Sequence, residues 1–155
     1  MVSIAPATER DLDPILDLLR GSRLPAAGLA GHLASALIAR DGDRVVGSAA
    51  LELYGASALL RSVAVETGRR GQGLGRQLTE AVLALAHSRG VRRVYLLTET
   101  AADFFARLGF TGLDRQAVDP AVQQSIEFRG ACPASAVCMV LTLETGPDLH
   151  QQQVT

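Results

Sequence analysis

The hydrophobic and polar positions at the start of the chain predict a strand followed by a helix. Residues 2–5 form a short apolar stretch that ends at Pro6. Thr8 then stands at an N-cap position, and the apolar residues after it follow the helical spacing i, i+3, i+4, i+7: Leu12, Ile15, Leu16 and Leu19. Gly21 predicts the end of this helix, and residues 29–33 predict a second, short helix.

An antiparallel meander is predicted next. Residues 36–40 and 44–47 form two apolar stretches around a turn sequence at 41–43, which is typical of a β-hairpin. The second strand continues to Tyr54, and a third antiparallel strand is predicted over residues 58–65.

The helical period returns after a glycine-rich stretch. A long apolar face is formed by Leu74, Leu78, Ala81, Val82, Leu85 and Ala86. Residues 91–98 then predict a strand, and a strand, a helix and a strand in this order predict a right-handed crossover between parallel neighbours. A short helix is predicted over residues 101–108, and two further strands begin at Phe110 and Val137.

This order of elements predicts an α+β domain with a mixed sheet. The length of 155 residues is that of one ordinary domain. We therefore predict a single domain over residues 1–144 and a polar C-terminal tail over residues 145–155.

The composition excludes several classes of protein. Hydrophobic residues make up 48% of the chain, charged residues 20%, and the net charge is −1, so neither a disordered protein nor a nucleic-acid-binding protein is expected. The apolar runs are too short to cross a membrane and the N-terminus does not resemble a signal peptide, so we expect no membrane partner and a cytoplasmic location. The histidines are scattered and the two cysteines lie six residues apart, so no metal site is expected.

All fifteen basic residues are arginines. The absence of lysine excludes a Schiff-base lysine and the lysine of a phosphate-binding P-loop. The cations that remain are permanently charged and suit phosphate groups.

Residues 68–76 join a predicted strand to a predicted helix and contain four glycines. Glycines let backbone N–H groups approach a ligand closely, and a helix N-terminus adds unpaired donors, so the loop predicts a phosphate or pyrophosphate site. Arg69, Arg70 and Arg76 would supply charge-assisted hydrogen bonds to the same group. The dinucleotide pattern G-x-G-x-x-G does not fit, because Arg76 or Leu78 replaces its third glycine in the two possible registers.

The loop contains R-x-x-G-x-G over residues 70–75 (RGQGLG), directly after the strand residues SVAV. This arrangement resembles the acetyl-CoA-binding motif of the GNAT superfamily of N-acetyltransferases. Residues 4–19 are similar to that family's first strand and helix, and FFARLGF at 104–110 is similar to its fourth-helix signature. More narrowly, LRSVAV, RRGQGLG, YLLTETAADFFARLGF and EFRGACPASAVCM resemble the arsenic-resistance-associated branch.

The resemblance implies a mixed, mostly antiparallel sheet flanked by helices, with a parallel strand pair that splays apart to admit acetyl-CoA. The strand backbone would bind the pantetheine arm, the glycine N–H groups and nearby arginines would hold the pyrophosphate, and two phenylalanines would line the cleft. The residues that it assigns to the cofactor are Val63, Ala64, Val65, Arg70, Gly71, Gln72, Gly73, Leu74, Gly75, Arg76, Phe104 and Phe105. It implies no metal.

Acetyl transfer to an amine needs a base, and carboxylates are the expected candidates because no histidine is predicted near the cleft strands. Glu52 is the first candidate for this base, with binding of a substrate ammonium group or a plain surface charge as alternatives, and Glu127 is the second. Arg61 either clamps an anionic group of the substrate or pairs with Glu52. Ser62, the next residue, is a further candidate for contact with the substrate. A backbone N–H of residues 62–65 is expected to stabilise the oxyanion.

One position departs from the family pattern. Phe105 stands where members often carry a tyrosine that protonates the leaving thiolate. Water, Ser62 or Tyr95 would have to substitute, or the thiolate leaves unaided. Cys132 is expected to be a buried structural thiol, with a nucleophilic role as the alternative.

We therefore predict an acetyl-CoA-dependent N-acetyltransferase that acts on the primary amine of a small molecule by direct attack in a ternary complex. The acceptor would be an amino acid or an amino-acid-like toxin, and the narrower resemblance adds an organoarsenical to this class. Members of the family frequently dimerise, which implies a homodimer. The alternatives are a non-catalytic acyl-CoA-binding sensor or partner module on the same fold, favoured by Phe105, and a Rossmann-like nucleotide site.

Overall fold

Seven strands form one mixed sheet in the computed structural model, which describes residues 1–143. The strands are β1 (Val2–Pro6), β2 (Ala36–Asp41), β3 (Arg44–Tyr54), β4 (Ser57–Val65), β5 (Arg93–Thr98), β6 (Thr111–Gly112) and β7 (Val137–Thr142). Their spatial order is β1-β2-β3-β4-β5-β7-β6, and every neighbouring pair is antiparallel except β4 and β5. The predicted α+β fold with a mixed, mostly antiparallel sheet is confirmed.

Helices flank this sheet: α1 (Leu12–Gly21), α2 (Leu74–Ser88) and α3 (Ala102–Arg107). The end of the first helix at Gly21 agrees with the prediction, whereas the second, short helix is a 3-10 helix over Leu29–Ser35. Three short helical segments fill the chain between β6 and β7, where the periodicity predicted no element: Arg115–Ala117, Val122–Gln124 and Glu127–Ala131. The predicted tail at 145–155 lies outside the described residues.

The two faces of the sheet are covered by different helices. On one face α2 contributes Leu78 to a buried cluster that contains Leu51 of β3. On the other face α1 contributes Leu19 to a cluster that contains Ala50 of β3. Because successive strand residues point to opposite faces, these two neighbours on β3 define the two sides. Arg61 is the register partner of Ala50, so it points to the α1 side of the sheet.

The parallel pair opens along its length. β4 and β5 are paired from Ser57 with Arg93 to Leu59 with Tyr95, and no pairing between them follows. β4 nevertheless continues to Val65, while β5 stays paired with β7 up to Thr98. The two strands therefore leave an opening between them on the side where β4 runs into the glycine-rich loop, as the predicted splay required.

β4 also carries a bulge at this opening. Its register against β3 shifts, because Ala64 pairs with Ser48 whereas Arg61 pairs with Ala50. Ser62 and Val63 thus share a single residue opposite them on β3. Ser62 has a φ of 60°, a conformation that residues with a side chain adopt at a cost of roughly 1–2 kcal/mol.

Gly47 is where β3 passes closest under α2. A Cβ at this position would lie 2.7 Å from Leu78 Cδ1 and 3.3 Å from the backbone oxygen of Ala64. A side chain here would therefore crowd the contact between α2 and the sheet, and Leu78 would have to shift to admit it.

Gly47→Ala should lower the free energy of unfolding by about 1–3 kcal/mol, because the added methyl group overpacks the fully buried Leu78 side chain. Gly21→Ala is the matched control, since a Cβ there meets no atom within 4 Å and the residue ends a helix. The control should keep or slightly raise stability. Urea denaturation of both variants measures the difference, and equal stabilities would contradict this account of the contact.

Candidate functional site

The loop between β4 and α2 is built to present backbone donors. Gly71 and Gly73 have φ values of 80° and 84°, both are exposed, and a Cβ on either would meet no atom within 4 Å. Gly73 is the N-cap of α2, and no side chain caps the helix there. The N–H groups of the first helical turn therefore have no partner within the helix, which suits a phosphate or pyrophosphate.

The three arginines of this loop differ in their partners. Arg69 forms an ion pair with Asp41, the last residue of β2. Arg70 lies across the end of β4, where its Nε donates to the Val65 carbonyl at 3.1 Å and its Nη2 donates to Ser22 Oγ at 3.0 Å. Arg76 pairs with Glu80 one turn along α2, and both side chains are exposed. Arg70 and Arg76 thus keep exposed guanidinium groups on either side of the glycines, whereas Arg69 serves mainly to join the loop to the hairpin.

The two phenylalanines of α3 occupy different environments. The Phe104 ring comes within 3.6 Å of the point where a Cβ on Gly75 would lie, so it packs against the first turn of α2. Phe105 is buried and stacks edge-on against Phe110, with ring centroids 5.7 Å apart. Phe104 is therefore next to the loop, while Phe105 is a residue of the core.

A buried ionic cluster lies on the α1 side of the sheet, next to the bulge. The Arg61 side chain is 0% exposed and contacts two carboxylates. Its Nη1 donates to Glu52 Oε2 at 2.8 Å, and its Nε lies 3.3 Å from Glu127 Oε2. The same Nε donates to Ser62 Oγ at 3.1 Å, and Nη2 donates to the Pro25 carbonyl at 3.1 Å. Each guanidinium nitrogen thus has a partner within the protein. Of the two roles considered for Arg61, the structure shows the pairing with Glu52.

Further polar side chains surround Glu52. Tyr54 Oη donates to its Oε1 at 2.5 Å, and the nearby Ser125 side chain helps to lower its pKa. His32 Nε2 lies 3.9 Å from the same Oε1. A histidine thus lies beside the first candidate for the base, which the sequence did not predict. The 3-10 helix Leu29–Ser35 packs against β3, and this brings a residue distant in sequence to the carboxylate.

The two carboxyl groups titrate in opposite directions. Burial by itself would raise the pKa of Glu52, but hydrogen bonds from Tyr54, Arg61 and Ser125 outweigh it and hold that pKa below its usual value. Burial raises the pKa of Glu127 to about 7, with the charge of Glu52 adding to the effect and that of Arg61 opposing it. Glu127 is therefore the carboxyl group of this cluster that can exchange a proton near neutral pH.

Tyr95 and Cys132, which the sequence offered as a proton donor and a nucleophile, are both buried. Tyr95 is buried in an apolar cluster with Leu59 and Val118, away from α2. Cys132 is buried, and its Sγ lies 3.6 Å from Glu127 Oε1. Burial and the nearby Glu127 carboxylate raise the Cys132 pKa to about 12, so this thiol fits a structural role and not a nucleophilic one.

Some residues of the cluster have a sequence signal and others have none. Glu52 and Tyr54 lie two residues apart on one strand, so the two-residue period of β3 places them on the same face. His32 and Ser125 come from irregular segments far from β3 in the chain, and no local pattern connects them to Glu52.

Residues 1–143 were compared with the requirements of a membrane-spanning helix and of a metal site. No helix there is long and apolar enough to cross a membrane. The same residues contain no group of three or more histidine, cysteine, aspartate or glutamate side chains that could hold a metal ion.

Comparisons with known proteins give the same picture of the fold. N-acetylglutamate synthase from Neisseria gonorrhoeae, solved with coenzyme A and N-acetyl-glutamate, superposes with a TM-score of 0.80 at 20% identity over 93% of this chain and 35% of that one. An aminoglycoside 6'-N-acetyltransferase solved with coenzyme A gives 0.70 at 20% identity over 96% and 99% of the two chains.

Sequence relatives match shorter stretches. N-alpha-acetyltransferase 80 of Mus musculus is 43% identical over 54 residues, which is 35% of this chain and 17% of that protein. An uncharacterized N-acetyltransferase of Chlorobaculum tepidum is 31% identical over 86 residues, 55% of each chain. The matches thus span at most about half of these relatives. The acetyltransferase (GNAT) domain model matches residues 32–112, more than half of the chain, including the ionic residues Glu52 and Arg61, the bulge and the glycine loop. The chain belongs to the GNAT acetyltransferase family.

Proposed function

We propose that this protein is an acetyl-CoA-dependent N-acetyltransferase that acetylates the primary amine of a small molecule in the cytoplasm by direct attack in a ternary complex. The observation that carries the proposal is the opening between β4 and β5, which lies between the glycine loop and the buried ionic cluster. A cofactor held at the loop would extend along the end of β4 and bring its thioester to the bulge.

The glycine loop supports binding of the CoA pyrophosphate. Gly71 and Gly73 leave open space beside the unpaired N–H groups of α2, and Arg70 and Arg76 add positive charge at its rim. The free backbone edge of β4 beyond Leu59 supports binding of the pantetheine amides in the manner of an added strand. The two solved relatives named above were both determined with coenzyme A.

The ionic cluster supports a division of roles between its carboxylates. Glu127 adjoins the bulge through Arg61, and a pKa of about 7 suits a base that accepts the proton of the attacking ammonium group. Glu52 was the first candidate from the sequence, but its hydrogen bonds and lowered pKa suit an anchor for Arg61. In the reaction Glu127 takes one proton from the ammonium group, and the neutral amine nitrogen bonds to the thioester carbonyl carbon. The C–S bond then breaks, and the second proton that the nitrogen loses passes through water or Ser62 to the CoA thiolate.

We propose an amino acid or an amino-acid-like toxin as the acceptor. Two buried carboxylates beside the opening favour a substrate that arrives as an ammonium ion. N-acetylglutamate synthase, which shares the fold, was solved with N-acetyl-glutamate, an acetylated amino acid. A more specific candidate for the acceptor is an organoarsenical amino acid, because the sequence motifs resemble the arsenic-resistance-associated branch.

A non-catalytic acyl-CoA-binding sensor is the second candidate function. The observation that favours it is Phe105, which is buried among aromatic rings and offers no proton to a leaving thiolate.

Gly73→Val should abolish acetyl-CoA binding, because the side chain would project from the N-cap into the space where the pyrophosphate is expected. Gly90→Val is the matched control: it lies beyond the other end of α2, has a φ of 81° against 84°, and is equally free of neighbours within 4 Å. Both variants carry the same backbone strain, so both should lose about 1–2 kcal/mol of stability. Isothermal titration calorimetry should show binding for Gly90→Val only; equal losses of affinity would move the cofactor site elsewhere.

Turnover should be detected as thiol release from acetyl-CoA with a panel of amino acids and other amines, including an organoarsenical amino acid. The rate should rise with pH through about 7, because Glu127 accepts a proton only when ionised. Glu127→Gln should remove this rise and lower kcat by about 10²- to 10⁴-fold. Glu52→Gln should instead move the rise to lower pH, since the Glu52 charge raises the Glu127 pKa. Binding without turnover on any amine would support the sensor, and an unchanged pH profile in Glu127→Gln would return the role of base to Glu52.

The raised pKa of Glu127 also predicts how stability depends on pH. It exceeds the ordinary value of 4.5, so between 4.5 and about 7 the folded state binds more protons than the unfolded state and stability falls as pH rises. The stability of Glu127→Gln relative to the wild type should therefore be greater at about pH 8 than at about pH 5 in urea denaturation. The exposed Glu80→Gln provides the control and should show no such change.

A further inference from the structure

The bulge in β4 is a conformation that the chain must hold against an alternative. Ser62 is one of two non-glycine residues with positive φ among residues 1–143, the other being Arg23. A regular ladder would place Ser62 in an extended conformation without this strain. β5 has already diverged on the other side, so pairing with that strand does not fix the stretch. Some other contact must keep Ser62 in place.

Ser48 on β3 provides that contact. Its Oγ donates to the backbone oxygen of Ser62 at 2.7 Å, and the residue is 1% exposed. It lies where the register shifts, since Ser48 pairs with Ala64 while Ala50 pairs with Arg61. A side-chain hydroxyl thus takes the place of a ladder hydrogen bond at the point where the bulge interrupts the ladder. On the other side of Ser62, Arg61 Nε donates to its hydroxyl.

We infer that Ser48 is a positioning residue for acetyl transfer: it holds the Ser62 carbonyl so that the bulge directs backbone N–H groups into the opening, toward the thioester carbonyl. The inference rests on the proposed function for the identity of the bound group. Ser48 lies on the far side of β4 from the opening and touches the reacting atoms only through Ser62. Its effect should therefore fall on recognition of the thioester and not on the rest of the cofactor.

The ratio of the affinities for CoA and acetyl-CoA tests this directly. The two ligands share the pyrophosphate and pantetheine groups and differ in the acetyl thioester, so the ratio isolates the contact made at the bulge. Ser48→Ala should lower the preference for acetyl-CoA roughly three- to tenfold, the value of one hydrogen bond, while affinity for CoA stays at the wild-type level. Ser48→Thr, which keeps the hydroxyl, should restore the preference.

Ser57→Ala is the control for loss of a serine hydrogen bond on β4. Ser57 is also buried, but its hydroxyl donates to Asp119 at the regularly paired end of the strand. This variant should keep the wild-type ratio even if its melting temperature falls as much as that of Ser48→Ala. If Ser48→Ala has the same ratio of affinities as the wild type, the inference is overturned. This includes the case in which both the wild type and the variant bind CoA and acetyl-CoA equally well.

Kinetics separate this inference from the proposed function. If an amine is acetylated, Ser48→Ala should lower kcat by about 10- to 100-fold and raise the KM for acetyl-CoA by no more than its affinity falls, because displaced N–H groups at the bulge cost more in the transition state than in the bound state. A rise in KM with an unchanged kcat would count against Ser48. If no amine is acetylated but the ratio changes as expected, the positioning role stands and the proposed function fails.

Discussion

The buried guanidinium of Arg61 is the interaction on which the candidate site depends. A charge with no exposure to solvent is stable only when its partners are close and well oriented, and Arg61 has partners on three separate parts of the chain. Glu52 comes from β3, Glu127 from the segment before β7, and the Pro25 carbonyl from the loop after α1. The two ion pairs and the hydrogen bond that satisfy Arg61 therefore hold these three segments together over one face of the sheet.

The ionic cluster contacts the backbone of β4 beside the opening in the sheet. Where β4 leaves β5, its backbone loses a strand partner, and the bulge at Ser62 adds a second interruption on the β3 side. Such a stretch would be free to change conformation if it were not held by side chains. Ser48 contacts its carbonyl and Arg61 its hydroxyl, so the polar groups that look like substrate contacts also maintain the backbone.

The sequence predicted most of the fold because the fold is set by local periodicity. The helical spacing of α1 and α2, the turn between β2 and β3 and the strand-helix-strand order all follow from short patterns, and the structure contains each of them. The glycine loop could be located for the same reason. The segment between β6 and β7 could not, since its short turns have no period, and it supplies Glu127 and Ser125. His32 was missed because its proximity to Glu52 depends on how a 3-10 helix packs, which is a tertiary property. The choice between the two roles of Arg61 likewise needed its partners to be seen in space.

The glycine loop has a consequence for how this protein can diverge. Its donors are main-chain N–H groups at a helix start, so most side-chain substitutions around it leave the donors in place. The ionic cluster is instead made of side chains, such as those of His32, Tyr54 and Glu127, that come from several segments. Under the proposed function, replacements among these side chains would change which amine is accepted, while the main-chain donors of the loop, and with them the acyl donor, would stay the same.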